Sequence, residues 1–345
     1  MTIAIRPGTL ETDRLPAVGL LARHLNPAYD TARFDWLHTR NPAGPGRFWI
    51  AFDSTTGETV GTAAAFPRLF TVGGREERGW VLGDFCVSDR HRSLGPALKL
   101  QRSCLDLAAD SGTPFCYDFP SRAMMTVYQR LRIAPRGEMR RLVKLLSVRS
   151  KLIALTGWPR LAGSLARVLD ALLALRRRFP VVPGLTLDLH PGPCGEEFSE
   201  LAEMEGASYG ICLKRSAAYL NWRYRENPTG HYEILTARRQ GRLVGYAVFT
   251  IDGGSAVLAD LFGMQDETML AALVRAVTAT ARQRGCASLG VALLDSHPWV
   301  AMFQELGFAR REASPFVLSA SPDSTVSRAM HTTAGLFLMS GDRDS

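Results

Sequence analysis

An α/β fold built twice is predicted for this chain by three observations. The first is internal repetition. FDWLHTRNPAGPGRFWIAFDSTTGETVGTAAAF surrounds Trp36, and YLNWRYRENPTGHYEILTARRQGRLVGYAVF surrounds Trp222. Trp36 precedes Pro42 by six residues and Gly44 by eight, and Trp222 precedes Pro228 and Gly230 by the same intervals. The second observation is order. After each tryptophan phrase come an apolar strand holding an aspartate (VLGDF at Asp84, VLADLF at Asp260), a long helix, and a closing phrase, VYQRLRI (Val127 to Ile133) or MFQELGF (Met302 to Phe308). Four phrases in the same order are the mark of a duplicated unit. The third is size: 345 residues, 46% of them hydrophobic, suffice for two cores.

Each unit reads as follows. A strand comes after the Asn-Pro, then a polar turn at Gly57 or Gly241, then a second strand holding Val60-Gly61 or Val244-Gly245. The aspartate strand feeds the long helix, and a further strand and a short helix close the unit. The units span residues 1–147 and 184–345, with a helical linker over 148–183. Within the linker, Leu152 to Phe179 places Leu161, Leu165, Val168, Leu169, Leu172, Leu173 and Leu175 on a broad apolar face, and Pro180 and Pro183 stop it. That helix could pack across the two units or, being basic and amphipathic, lie on a membrane surface. Ser319 to Arg328 reads as an exposed loop.

No run approaches the roughly 18 apolar residues a spanning helix needs, and the first residues lack a secretory signal, so a cytoplasmic location is expected. The six cysteines form no C-x-x-C pair and sit mostly in apolar patterns, which predicts free buried thiols. The seven histidines do not cluster with them, and no metal site is expected. The net charge of +8 is concentrated mid-chain, at Arg136, Arg140, Arg141, Lys144, Arg149, Lys151, Arg160, Arg167 and Arg176 to Arg178. This suits a phosphorylated cofactor, an acidic carrier protein, RNA or a membrane surface, or is simply a solvated basic face.

The stretch VLGDFCVSDRHRSLGPAL (Val81 to Leu98) is the most informative for chemistry. An apolar strand runs into a polar turn holding R-x-x-G-x-A (Arg92, Gly95, Ala97), and a helix begins there. The first-turn amides of a helix have no internal partner and the dipole leaves partial positive charge beside them, so the turn is an anion cradle with Arg92 at its lip. Pro96 is expected at the first helical position, where it removes one amide. Trp36 and Trp222, at matching places, read as core anchors.

Through these residues both units resemble the GNAT acyltransferase superfamily, whose fold is a mixed, twisted sheet flanked by helices, and the tandem layout resembles a bacterial branch of it. The family's (R/Q)-x-x-G-x-(G/A) phrase, whose amides hold the pyrophosphate of an acyl-coenzyme A, is matched by Arg92, Gly95 and Ala97. Its Tyr-x-x-x-Gly-Phe phrase is matched by Tyr128, with Arg132 and Ile133 in place of Gly-Phe; the second unit keeps Gly307-Phe308 but has Phe303 for the tyrosine and no cradle arginine or glycines. The resemblance implies acetyl-CoA or another acyl-CoA as donor, held at Phe85, Cys86, Val87, Arg92, Ser93, Leu94, Gly95 and Ala97, with a β-bulge near Asp84 to Val87. It implies N-acyl transfer to a small-molecule amine by direct attack on the thioester, Tyr128 protonating the departing thiolate and the acceptor wall lying in Ala28 to Pro42. Asp84 is the candidate base; since Asp260 holds the matching place without a cradle, a structural capping role stands beside it. Arg132 suggests a changed turn, and His91, beside Arg92, could touch phosphate or be a surface loop residue. Acyl carrier protein or aminoacyl-tRNA as partner, and a non-catalytic binding module, are the alternative readings. No specific nucleic acid is expected.

Overall fold

The computed structural model describes residues 2–92, 94–110, 113, 115–147, 182–321, 324–332 and 335–343; the linker helix expected over Leu152 to Phe179 lies outside them. The first half runs β1 (Ile3–Pro7), α1 (Leu10–His24), α2 (Thr31–His38), β2 (Arg47–Asp53), β3 (Thr59–Val72), β4 (Arg75–Val87), α3 (Leu94–Asp110), β5 (Phe115–Asp118), α4 (Arg122–Arg130) and β6 (Gly137–Leu145). The second runs β7 (Leu185–His190), α5 (Glu196–Glu205), β8 (Ile211–Leu213), α6 (Ala217–Leu220), β9 (Glu233–Arg239), β10 (Arg242–Asp252), β11 (Ser255–Gly263), α7 (Glu267–Gln283), β12 (Ser288–Leu294), α8 (Trp299–Glu305), β13 (Ala309–Ala320), α9 (Thr325–Thr332) and β14 (Leu336–Phe337).

The strands join into one mixed sheet in the order β1-β2-β3-β4-β5-β13-β6-β12-β11-β10-β9-β7, with β8 on β3 and β14 on β8. The order reads alike from either edge, apart from an exchange at the centre. The last strand of each half, β6 or β13, lies against the other half: β13 pairs β5, and β6 pairs β12. β6 and β13 also pair with each other, which closes the sheet across the middle. Trp36 and Trp222 also join the two halves, stacked at 4.8 Å with a 22° interplanar angle. Each indole N–H donates to the other residue's carbonyl, at 2.8 and 2.9 Å. The repeated tryptophans are core anchors as expected, and they anchor one another.

Three expectations are corrected. α3 starts at Leu94, so Pro96 is its third residue rather than its first; it still removes one of the four unpaired amides. Arg132 does not change the turn after α4: it adopts the left-handed conformation (φ 61°) that Gly307 adopts in the second half (φ 85°), at a cost a glycine avoids. Ser319 and Ala320 end β13, and Thr325 to Arg328 open α9, so this stretch is not all loop.

Candidate active site

β4 and β5 run parallel and pair only through Gly79, Trp80 and Val81 against Phe115, Cys116 and Tyr117. Immediately beyond, β4 bulges. Thr62 of β3 faces Cys86 and Ala64 faces Gly83, so the single residue between them opposes both Asp84 and Phe85. Asp84 takes a left-handed backbone (φ 46°), which aspartate tolerates better than most side chains. The expected bulge is therefore present, and it turns β4 away from β5. A cleft of about 240 Å³ opens between them, lined by Leu82, Gly83, Asp84 and Phe85 on one wall and Asp118, Phe119, Pro120, Ser121 and Met124 on the other. Leu25, Arg33 of α2, Gln101 of α3 and Arg343 of the C-terminal segment complete it.

Asp84 is buried, and both of its polar neighbours meet the same carboxylate oxygen. The Tyr29 hydroxyl donates to Oδ2, and His38 Nε2 lies 3.5 Å from it. His38 stacks on Phe34 at 3.9 Å and meets the edges of Phe48 and Phe66, so its ring is fixed by apolar packing. Tyr29, Arg33 and His38 all come from the expected acceptor wall, Ala28 to Pro42. Their individual roles carry no sequence motif, because they converge through the packing of α2 beneath the bulge.

Tyr128 stands one residue behind the cleft. It is fully buried; its hydroxyl donates to Asp118 Oδ2 at 2.6 Å and accepts from Gln101 Nε2 at 2.7 Å. Asp118 and Gln101 both line the cleft, so the hydroxyl reaches it through one hydrogen bond. Burial, reinforced by the Asp118 charge, raises the phenol well above its ordinary pKa. Burial and the neighbouring Asp84 charge likewise push the Cys86 thiol to about 12. All six cysteines are free and buried.

The cradle lies at the mouth of the bulge. Cys86 and Val87 are buried strand residues and Phe85 is half-buried on the cleft wall. Arg92 is exposed and pairs with Asp89 at 2.8 Å, while His91 Nδ1 is bonded to Ser88 Oγ at 2.8 Å. Ser93 lies outside the described residues. Leu94, Gly95 and Ala97 form the first turn of α3. Gly95 is exposed, and a Cβ built on it would meet nothing within 4 Å. Neither backbone conformation nor packing demands glycine there, although glycine costs about 0.5–1 kcal/mol relative to alanine inside a helix. A Cβ there would project into open space. The first turn of α3 is thus sterically open and offers backbone amides to an anion, one fewer because of Pro96.

The second half opens in the same way and closes differently. β11 and β12 pair from Ser255 to Leu258 against Ser288 to Val291, and then separate. The C-terminal segment enters the gap. Leu294 N–H donates to Leu338 O (3.4 Å), Met339 bridges Leu293, and Ser340 Oγ lies 3.3 Å from Ala259 O. Asp260 faces no cleft: Arg215 holds it at 3.0 Å and Asp342 at 3.0 Å, all three side chains fully buried. Gly341 has no room for a side chain, since a Cβ would lie 2.1 Å from the Tyr224 hydroxyl and 2.9 Å from Ala259 O. The segment then crosses to the first half, where the Tyr117 hydroxyl donates to Asp342 O (3.2 Å) and Arg343 packs 5.1 Å over the Phe119 ring.

Part of the basic middle of the chain is committed internally. Arg140 pairs with Asp295 at 3.0 Å, Arg141 with Glu312 at 2.6 Å, and buried Lys144 donates to Leu306 O at 2.6 Å. All three bonds join β6 to residues of the second half. Arg149, Lys151, Arg160, Arg167 and Arg176 to Arg178 lie outside the described residues. No helix among the described residues is long and apolar enough to cross a membrane.

No protein-family model matches the sequence, and no curated protein does. Solved structures do match. A conserved protein from Enterococcus faecalis V583, described as a probable N-acyltransferase, superposes with a TM-score of 0.66 at 11% identity over 93% of this chain and 72% of that one. A GCN5-related N-acetyltransferase from Anabaena variabilis gives 0.65 at 12% identity, over 92% and 73%. Saccharomyces cerevisiae N-myristoyltransferase, solved with bound myristoyl-CoA, gives 0.58 at 11% identity, over 92% and 82%. At such identities the likeness is one of fold. The chain has the fold of the GCN5-related N-acetyltransferases, a mixed sheet flanked by helices.

Proposed function

We propose that the first half is an acyl-coenzyme A-dependent acyltransferase that modifies the amine of a small molecule by direct attack on the thioester. The observation that carries this reading is the opened β4–β5 pair. One cleft holds Asp84 on the bulge beside Asp118 and Gln101, the two partners of Tyr128, and Gln101 comes from α3, the helix whose first turn would be the cradle. Arg92, the amides of Leu94, Gly95 and Ala97, and the backbone of Phe85 to Val87 would hold the donor, with Ser93 in the same loop. When bound, acyl-coenzyme A supplies a carbonyl open to attack and a thiolate that can leave.

In the reaction a bond forms between the amine nitrogen and the acyl carbon as the carbon–sulfur bond breaks. The cleft contributes by holding the two reactants together, which removes much of the entropic cost of the encounter. Asp84, oriented by Tyr29 and His38, takes the proton that the amine releases. At the other wall the Tyr128 hydroxyl donates to Asp118, which lines the cleft, so the proton for the departing sulfur would pass from Tyr128 through the Asp118 carboxyl. The second half contributes β13 beside β5 and the segment that carries Arg343.

Turnover of a panel of primary amines with acetyl-CoA, followed by thiol release, tests the reading. Tyr128→Phe is expected to lower kcat by about a hundredfold or more while leaving acetyl-CoA affinity within about twofold. Unchanged turnover in that variant removes Tyr128 from the chemistry.

A further inference from the structure

The geometry points to an acceptor that carries a carboxylate as well as its amine, a small amino acid or similar amino-carboxylate, with Arg343 as the residue that binds the carboxylate. This rests on the acyl-transfer cleft proposed above and names the substrate class of that site. Arg343 is not a loose surface arginine. Its backbone N–H donates to Ser340 O, and the residue before it is fixed on both sides, by Arg215 on the carboxylate and by Tyr117 on the carbonyl. From that anchor the guanidinium extends over the Phe119 ring and lines the cleft.

Its guanidinium meets the Phe119 ring face but, among the described residues, no carboxylate. Among the described residues Arg343 forms no ion pair, and its buried Nε has no hydrogen-bond partner. Other arginines of the fold form ion pairs: Arg215 with two aspartates, Arg140 with Asp295, Arg238 with Glu197. A buried donor without a partner is costly, and a guanidinium is a planar fork whose donors match the two oxygens of a carboxylate. Arg33 brings a second guanidinium to the same cleft, packed 5.2 Å over the Tyr29 ring.

The cleft also presents the opposite charge. Asp84 on the β4 wall and Asp118 on the β5 wall are carboxylates that attract the ammonium form of an acceptor and stand where its proton must leave. A space of about 240 Å³ holding two guanidinium groups and two carboxylates suits a small zwitterion better than a bare amine or a large apolar acceptor.

The test is titration of the full-length protein with the twenty proteinogenic amino acids, each as free acid and as primary amide, alongside acetyl-CoA in separate titrations. At least one free acid is expected to bind, with its amide about tenfold to a hundredfold weaker, as for a lost charge-assisted contact. Arg343→Gln should abolish the difference between acid and amide without altering acetyl-CoA affinity, and Arg343→Lys should restore part of it. Equal binding of acids and amides, no binding by any acid, or a preference that survives Arg343→Gln would overturn the inference. Acid preference in a protein that fails to bind acetyl-CoA would sink the acyl-transfer reading alone; acetyl-CoA binding without acid preference would sink this one alone.

Discussion

The β4–β5 and β11–β12 pairs begin alike and end as opposites. Each is a parallel pair that zips for a few residues and then separates, exposing backbone groups that no neighbouring strand satisfies. In the second half the chain itself fills the gap with Leu338 to Asp342, and the local aspartate, Asp260, is absorbed into a buried cluster with Arg215 and Asp342. In the first half the gap stays open, and Asp84 lines it with Tyr29 and His38 behind. One duplicated frame therefore yields one strand gap filled by the chain's own C-terminal segment and one left open. The copies are not independent, because the segment that plugs the second gap delivers Arg343 to the first.

The largest effect is expected from dislodging the plug. Gly341→Val forces a Cβ against the Tyr224 hydroxyl and the Ala259 carbonyl, so a loss of about 1–3 kcal/mol in denaturant stability is expected, as for other overpacked sites. Acceptor KM should rise in the same variant while acetyl-CoA affinity holds, since Arg343 moves with the segment. Undiminished stability would show that the segment is not seated as described. A smaller and reciprocal pair sharpens the comparison at the turns after α4 and α8. Arg132→Gly should stabilise by about 1 kcal/mol and Gly307→Arg should destabilise by about as much, because both positions are left-handed. Thermal melts of the two variants check this; shifts of the same sign would contradict it.

Much of this contrast was legible in the amino-acid order. The repeated Trp–Asn-Pro phrases mark the junction where Trp36 and Trp222 stack, and R-x-x-G-x-A marks the start of α3. The bulge at Asp84 followed from the resemblance, and the matching Asp260 raised the structural role that Arg215 shows for that copy. What was not legible depends on contacts distant in sequence. The exchange of β6 and β13 is invisible to local pattern, because either strand satisfies the same alternation in either half. His38, Gln101 and Asp118 become site residues only when α2, α3 and β5 converge. Arg343 lies more than 200 residues from every other residue of the cleft and is brought there by the plug. Arg132 was misread for a physical reason: a non-glycine residue can hold a left-handed turn if the surrounding helix end repays the strain.

Stoichiometry of acetyl-CoA binding by isothermal titration tests the open-and-plugged division most directly. One site per chain is expected, weakened by about 1–3 kcal/mol in Arg92→Ala, as for a lost charge-assisted contact. Absence of binding at millimolar ligand, or two equivalent sites per chain, would contradict it.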